Sequence, residues 1–114
     1  MTDRSPKLLV DAIGAIDAAH EFIGQTTLSQ YASDLKLRSA VERQLEILGE
    51  ACSRLAKLDA TWLARTPDIQ FAIGLRNRII HGYDSVDDEI LFETISKDLP
   101  MFREALAKEL AKII

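Results

Sequence analysis

The chain has 114 residues, of which 47% are hydrophobic and 28% are charged. This composition is ordinary for one globular domain, so it excludes a disordered chain, a collagen-like repeat and a second domain of the usual size. The formal net charge of −4 has the wrong sign for a protein that coats nucleic acid through a broad positive field. We therefore expect a single domain over residues 1–114, and any binding of nucleic acid must be local.

The N-terminal region contains no long apolar run. Asp11 and Asp17 interrupt every stretch that could serve as a signal sequence or a membrane span. Cys52 is the only cysteine, so no internal disulfide can form, and the two histidines, His20 and His81, form no cluster with metal-ligand spacing. These features predict a cytoplasmic protein that is not bound to a membrane and that needs no metal or other cofactor.

The predicted fold is all-α, with about four main helices and some short ones, because glycine and proline are few and helix-forming residues dominate. The first helix is expected from about Ser5 to Ile23, with Ser5 as its cap and Pro6 in its first turn, where proline is tolerated. One face of this helix carries apolar residues at helical spacing: Leu9, Ile13, Ile16 and Ile23. His20 continues this stripe, which predicts a place in the core or at an interface. The polar residues 26–30 offer caps for a short second helix.

The next long helix, expected over residues 35–58, has the clearest pattern. Its apolar residues repeat at steps of four and three and predict a narrow packing seam: Val41, Leu45, Leu48, Cys52 and Leu55. Cys52 is thus expected to be a buried hydrophobic residue and not a nucleophile. Residues 59–67 are expected to form a connection that Trp62 anchors, and a helix over 68–82 follows. The acidic residues 87–89 suit the first turn of a short helix, and the last helix is expected from about Pro100.

The residues that can carry chemistry lie together at the end of the predicted helix over 68–82. Two arginines, an asparagine, a histidine and a tyrosine occur within eight positions: Arg76, Asn77, Arg78, His81 and Tyr83. At about 100° per residue, Arg76 falls on the apolar stripe of its helix, where a guanidinium is costly unless it is paired or lines a cleft. Arginine can stabilise charge on phosphoryl oxygens, and histidine can move a proton. The group therefore suits phosphodiester cleavage.

The charge is distributed unevenly along the chain. Residues 36–58 contain five Lys or Arg against three Asp or Glu, and residues 60–83 contain three against one, so each segment has a net charge of +2. The acidic total therefore leaves room for a small phosphate site on these two segments. Arg38, Arg43 and Arg54 either pair with Glu42 and Glu50 as solvated helix charges or extend a basic cleft, and the sequence leaves both interpretations open.

The RxxxxHxY pattern of Arg76, His81 and Tyr83 resembles the signature of HEPN-domain proteins. It is most similar to the HepT-like branch, the toxin half of bacterial HepT/MntA toxin–antitoxin pairs. Residues 39–51, in the long helix, and Asp98-Leu99-Pro100, before the last helix, also resemble that branch. The resemblance thus spans nearly the whole chain.

This resemblance implies an antiparallel HEPN-like bundle and a homodimer in which two motifs share one cleft. It implies a metal-independent ribonuclease toxin in which Arg76 and His81 are catalytic, Asn77 orients the histidine and Arg78 supports RNA binding. It also implies a type VII-like antitoxin, a minimal nucleotidyltransferase that silences the toxin by adenylylating Tyr83 and that can form larger hetero-oligomers with it.

A second function stays open on the residues alone. A non-catalytic helical regulatory subunit could bind a nucleotide, or the nucleotidyltransferase itself, at the same polar helix end. That function requires Arg76 and Tyr83 but no proton transfer by His81. RNA cleavage by the purified protein distinguishes the two hypotheses.

Overall fold

A computed structural model of the chain describes residues 3–82 and 86–113. These residues form four long and three short α-helices: α1 (Ser5–Ile23), α2 (Leu28–Ser33), α3 (Leu35–Leu58), α4 (Thr61–Arg65), α5 (Asp68–His81), α6 (Asp88–Glu93) and α7 (Leu99–Ile113). A π-helical turn over Thr94–Asp98 leads from α6 into α7. No β-strand occurs in these two ranges, and the all-α prediction is confirmed. No helix in the described part of the chain has the length and apolarity needed to cross a membrane.

The start of α1 agrees with the prediction, but its cap does not. Arg4 occupies the capping position, and the side chain of Asp3 accepts a hydrogen bond from the Ser5 amide at 2.9 Å. Ser5 lies inside the first turn and is buried, followed by Pro6. The prediction that Ser5 caps the helix was wrong, because a carboxylate two residues upstream already accepts from its amide.

The short helices are fixed by polar caps. Thr27 and Gln30 form a reciprocal capping box at the start of α2, as the polar segment before it indicated. The side chain of Asp87 accepts hydrogen bonds from the amides of Glu89 and Ile90 at 2.9 and 3.2 Å, and it thereby starts α6. The acidic first turn of α6 is confirmed.

The connection over residues 59–67 contains the short helix α4, which the sequence pattern did not predict. Trp62 is buried there, as expected of an anchor, and the guanidinium carbon of Arg65 lies 4.1 Å from the centroid of its ring. Asp59 accepts hydrogen bonds from the amide and the hydroxyl of Thr61 at 2.9 and 2.8 Å. A helix of five residues is too short to show a hydrophobic period, so only its caps could have indicated it.

The core lies where α3 packs between α1 and α5, with α7 against α1. All five residues of the predicted seam on α3 are buried, and burial raises the pKa of the Cys52 thiol to about 12, in keeping with its interpretation as a small hydrophobic residue. His20 is exposed on α1, so the core alternative of its prediction was wrong, while a place at an interface stays a prediction. It lies at the edge of the apolar stripe of α1, where its side chain is exposed to solvent. Arg103 on α7 donates to Asp17 on α1 at 2.6 Å.

Gly49 sets the distance between α3 and α5. A Cβ added at this position would overlap the Cβ of Arg76 and would lie 2.9 Å from the carbonyl oxygen of Ala72. The α5 backbone at Arg76 therefore rests directly on α3, and only glycine leaves the space for it.

We expect Gly49→Ala to lower the free energy of unfolding by about 1–3 kcal/mol, the usual effect of overpacking a well-packed contact. Gly14→Ala is the matched control, because this glycine also lies within a helix but a Cβ added there has no neighbouring heavy atom within 4 Å. We expect the control to stabilise the protein by up to about 1 kcal/mol through helix propensity. Urea unfolding of both variants measures the difference, and equal shifts of the same sign would contradict the close helix contact.

Candidate active site

Helix α5 presents two different faces. Its buried residues pack towards α3: Ile69, Ala72, Leu75 and Ile79. Arg76 lies at the margin of this face with 29% of its side chain exposed, whereas Asn77, Arg78 and His81 are exposed. The predicted placement of a guanidinium beside an apolar stripe is therefore correct.

Arg76 is both paired and at a cleft, and either condition would have made its placement acceptable. Its Nη2 lies 3.3 Å from Oε2 of Glu50 on α3, and its Nη1 donates to Oδ1 of Asn77 at 3.3 Å. The guanidinium lines a cleft of about 390 Å³ between α1, α3 and α5. Three other arginine or glutamate side chains of α3 line the same cleft besides Glu50: Arg43, Glu46 and Arg54.

The arginines of α3 are paired as well. Nε of Arg54 lies 3.0 Å from Oε1 of Glu50, and Nη1 of Arg43 lies 3.1 Å from Oε2 of Glu46. Since Asp11 is the third acid in the lining, the cleft holds three arginines and three carboxylates. The positive charge of the central segments is thus balanced locally within one copy of the chain. A phosphate that enters must compete with these carboxylates for the arginines.

Arg38 belongs to a different cluster. Its Nε lies 3.8 Å from Oδ2 of Asp88, and burial together with the nearby Asp88 carboxylate raises the pKa of Glu42. Tyr31 is fully buried beside this cluster, and its hydroxyl has no hydrogen-bond partner within residues 3–82 and 86–113. Burial is also the main reason why the pKa of Tyr31 is raised. The sequence did not indicate this cluster, because its members come from α2, α3 and α6.

The end of α5 is regular. The amide of Gly82 donates to the carbonyl oxygen of Arg78 at 2.9 Å, and the helix ends at His81. Arg76 and His81 are five residues apart, so regular helical geometry places them about 140° apart around the axis. Asn77 directs its side-chain oxygen to Arg76 in this structure. Tyr83, the predicted modification site, lies outside the described residues.

Sequence interpretation missed Glu50 as a partner of Arg76. It assigned Glu50 to a helix-surface pair with an arginine, and that pair with Arg54 is present. The contact with Arg76 joins residues 26 positions apart, which no local pattern indicates. No group of three or more His, Cys, Asp or Glu side chains that could hold a metal ion occurs among the described residues.

The fold is all-α, and the end of α5 carries arginine, asparagine and histidine side chains beside a cleft. The family model described as Ribonuclease HepT-like matches residues 12–109. The chain therefore belongs to the ribonuclease HepT-like family, and the family expected from the RxxxxHxY pattern is confirmed.

Individual relatives agree with this assignment. The chain is 30% identical to "Probable ribonuclease HepT" of Thermococcus cleftensis, over 88% of this chain and 90% of the relative. It is 30% identical to "Putative RNase MJ1380" of Methanocaldococcus jannaschii, over 91% of this chain and 95% of the relative. A third relative, "Putative RNase TTE0752" of Caldanaerobacter subterraneus, is 33% identical over 75% of this chain and 76% of its own length. No solved structure matches the chain at a significant level.

Proposed function

We propose that this protein is a metal-independent endoribonuclease toxin whose active site lies at the end of α5, with Arg76 and His81 as its catalytic residues. Membership of a ribonuclease family supports RNA as the substrate. The observation that carries the proposal is the position of the Arg76 guanidinium, which Glu50 and Asn77 hold at a cleft next to the helix end that bears His81.

The chemistry follows from what these side chains can do. The 2′-hydroxyl of RNA attacks the adjacent phosphorus, a new P–O2′ bond forms and the P–O5′ bond breaks. The products are a 2′,3′-cyclic phosphate and a 5′-hydroxyl end. His81 accepts the proton of the 2′-hydroxyl or donates one to the departing 5′-oxygen, and its exposure lets substrate reach it. Arg76 donates to the non-bridging oxygens on which negative charge accumulates. Arg78 and Asn77 support RNA binding and the orientation of the site.

In a homodimer, Arg76 and His81 can act on the same phosphate although they point away from each other on one helix. Regular helical geometry turns Arg76 and His81 about 140° away from each other around α5. In our proposal two copies of α5 meet, so that Arg76 of one copy and His81 of the other face the same phosphate. The meeting of two such helix ends also adds a second pair of arginines, Arg76 and Arg78, to the local positive field.

Cleavage of RNA in the presence of EDTA tests the activity. We expect the wild-type protein to cut RNA, to leave 2′,3′-cyclic phosphate ends and to leave the all-2′-deoxy oligonucleotide of the same sequence intact. Absence of cleavage by a folded wild-type protein would contradict the proposal. It would favour the non-catalytic regulatory subunit, which binds a nucleotide or a nucleotidyltransferase without transferring a proton.

The proposed partner is a minimal nucleotidyltransferase antitoxin that modifies Tyr83. The tyrosine oxygen attacks the α-phosphorus of ATP, an O–P bond forms, the bond to the β-phosphate breaks and pyrophosphate leaves. Tyr83 follows His81 by two residues in the sequence. The added phosphate is thus expected to compete with RNA for the cationic groups of the motif.

We expect Tyr83→Phe to abolish this modification while RNA cleavage persists. Co-expression with the nucleotidyltransferase, followed by intact mass spectrometry, measures the adenylyl groups on each variant. Tyr31→Phe is the control, because the other tyrosine of the chain is fully buried and out of reach of an enzyme. Unchanged modification of Tyr83→Phe would show that Tyr83 is not the acceptor.

A further inference from the structure

Glu50 connects two of the three arginines of the cleft, Arg54 and Arg76. Its two carboxylate oxygens are divided between two arginines, Oε1 at 3.0 Å from Nε of Arg54 and Oε2 at 3.3 Å from Nη2 of Arg76. Glu50 and Arg54 are one turn apart on α3, whereas Arg76 comes from α5. The carboxylate therefore joins the catalytic arginine to the helix on which α5 rests.

We propose that Glu50 is a positioning residue for Arg76. Glu50 holds the guanidinium at the cleft, but its carboxylate also places a negative charge next to the phosphate site. This inference rests on the proposed ribonuclease function. In terms of kinetics, Glu50 raises kcat through the orientation of Arg76 and raises KM through repulsion of RNA.

The geometry supports both parts of this role. Gly49 brings the Cβ of Arg76 against α3, so the start of the arginine side chain is fixed and only its outer part needs a partner. Asn77 and Glu50 hold Nη1 and Nη2 from two sides. With side chains 29% and 45% exposed, Arg76 and Glu50 remain open to solvent and to a phosphate. Arg54 holds the other carboxylate oxygen of Glu50, so Glu50 can stay in place while further N–H groups of Arg76 donate to a phosphate. Two arginines and one glutamate have a net charge of +1, which a phosphodiester neutralises.

The chain offers a matched control for Glu50. Glu46 lies one turn earlier on α3 and lines the same cleft, but it pairs with Arg43 at 3.1 Å. Glu46→Gln and Glu50→Gln thus remove the same charge from the same helix and cleft. Only the second substitution alters the partner of Arg76.

Steady-state cleavage of RNA by the full chain separates the two effects. We expect Glu50→Ala to lower kcat about tenfold and to lower KM about threefold. Glu50→Gln keeps a carbonyl oxygen that can accept from Arg76, so its kcat should stay within about threefold of the wild type while its KM falls as well. Glu46→Gln should lower KM and leave kcat unchanged. Equal kcat for Glu50→Ala and Glu46→Gln would overturn the inference.

A binding experiment decides the inference even if the protein does not cleave RNA. A 2′-O-methyl RNA oligonucleotide cannot be cleaved by attack of its own 2′-oxygen, so its affinity measures binding without cleavage. We expect the effect of Glu50→Gln on this affinity to change by at least about threefold when Arg76→Gln is also present, because contacting residues couple. The effect of Glu46→Gln should be the same in both backgrounds. Additivity of Glu50→Gln with Arg76→Gln would overturn the inference, whereas failure of the wild type to cleave RNA would overturn only the proposed function. Glu50→Gln preserves the size and shape of the side chain, so it is the test variant if Glu50→Ala does not fold.

Discussion

Replacement of His81 by alanine is expected to lower kcat for RNA cleavage by about 100- to 10,000-fold, the usual contribution of a general acid or base. His81 is exposed at the last position of α5, where a substrate can reach it. Fold stability should change little, because the side chain is exposed. Cleavage of an RNA of defined sequence in EDTA measures the effect.

His20→Ala is the matched control for this prediction. It removes the only other histidine of the chain, which is exposed on α1 and belongs to no part of the cleft. We expect its kcat and KM to equal those of the wild type. If His81→Ala kept wild-type kcat, His81 would not be the proton-transferring group, and the regulatory-subunit hypothesis would gain support.

The long helices were predictable because each has a strong apolar period. Helix α3 has the predicted bounds, and every residue of its predicted seam is buried. The ends of such stripes were harder to place. Leu58 and Ile113, the last residues of α3 and α7, are exposed. Ser5 is not the cap of α1, because the side chain of Asp3 accepts the hydrogen bond from the Ser5 amide.

The site was predictable only in its local part. Arg76, Asn77, Arg78 and His81 all lie within the last six residues of α5, which sequence spacing can show. The partner of Arg76 comes from another helix, and its approach depends on the missing side chain of Gly49. The sequence also left two alternatives open for Arg43 and Arg54, which were ion pairs on the helix surface or the extension of a basic cleft. Arg54 pairs with Glu50 as predicted, whereas Arg43 pairs with Glu46. Both arginines line the cleft, but three carboxylates balance its three arginines, so the cleft is not basic within one copy of the chain.

Replacement of Arg76 by alanine is expected to lower kcat by about 100- to 1,000-fold, as for the loss of one preorganised donor to a transition-state oxygen. Alanine keeps the Cβ that rests on Gly49, so the contact between α3 and α5 should survive. Arg76→Lys should recover only part of the activity, because an ammonium group cannot donate to Glu50 and a phosphate in the planar geometry of a guanidinium. Arg43→Ala is the control within the same cleft, and we expect it to change KM more than kcat.

Mixing the Arg76→Ala and His81→Ala variants tests which copy supplies each of the two proposed catalytic groups. If Arg76 of one copy and His81 of the other serve the same phosphate, a heterodimer of Arg76→Ala and His81→Ala contains one complete site and one that lacks both groups. Mixing after unfolding and refolding should then restore a substantial part of the cleavage that neither variant shows alone. Sedimentation velocity on the same samples establishes whether dimers form. Dimers without restored cleavage would place both groups of each site on the same α5, and the last turn of that helix would then have to distort when RNA binds.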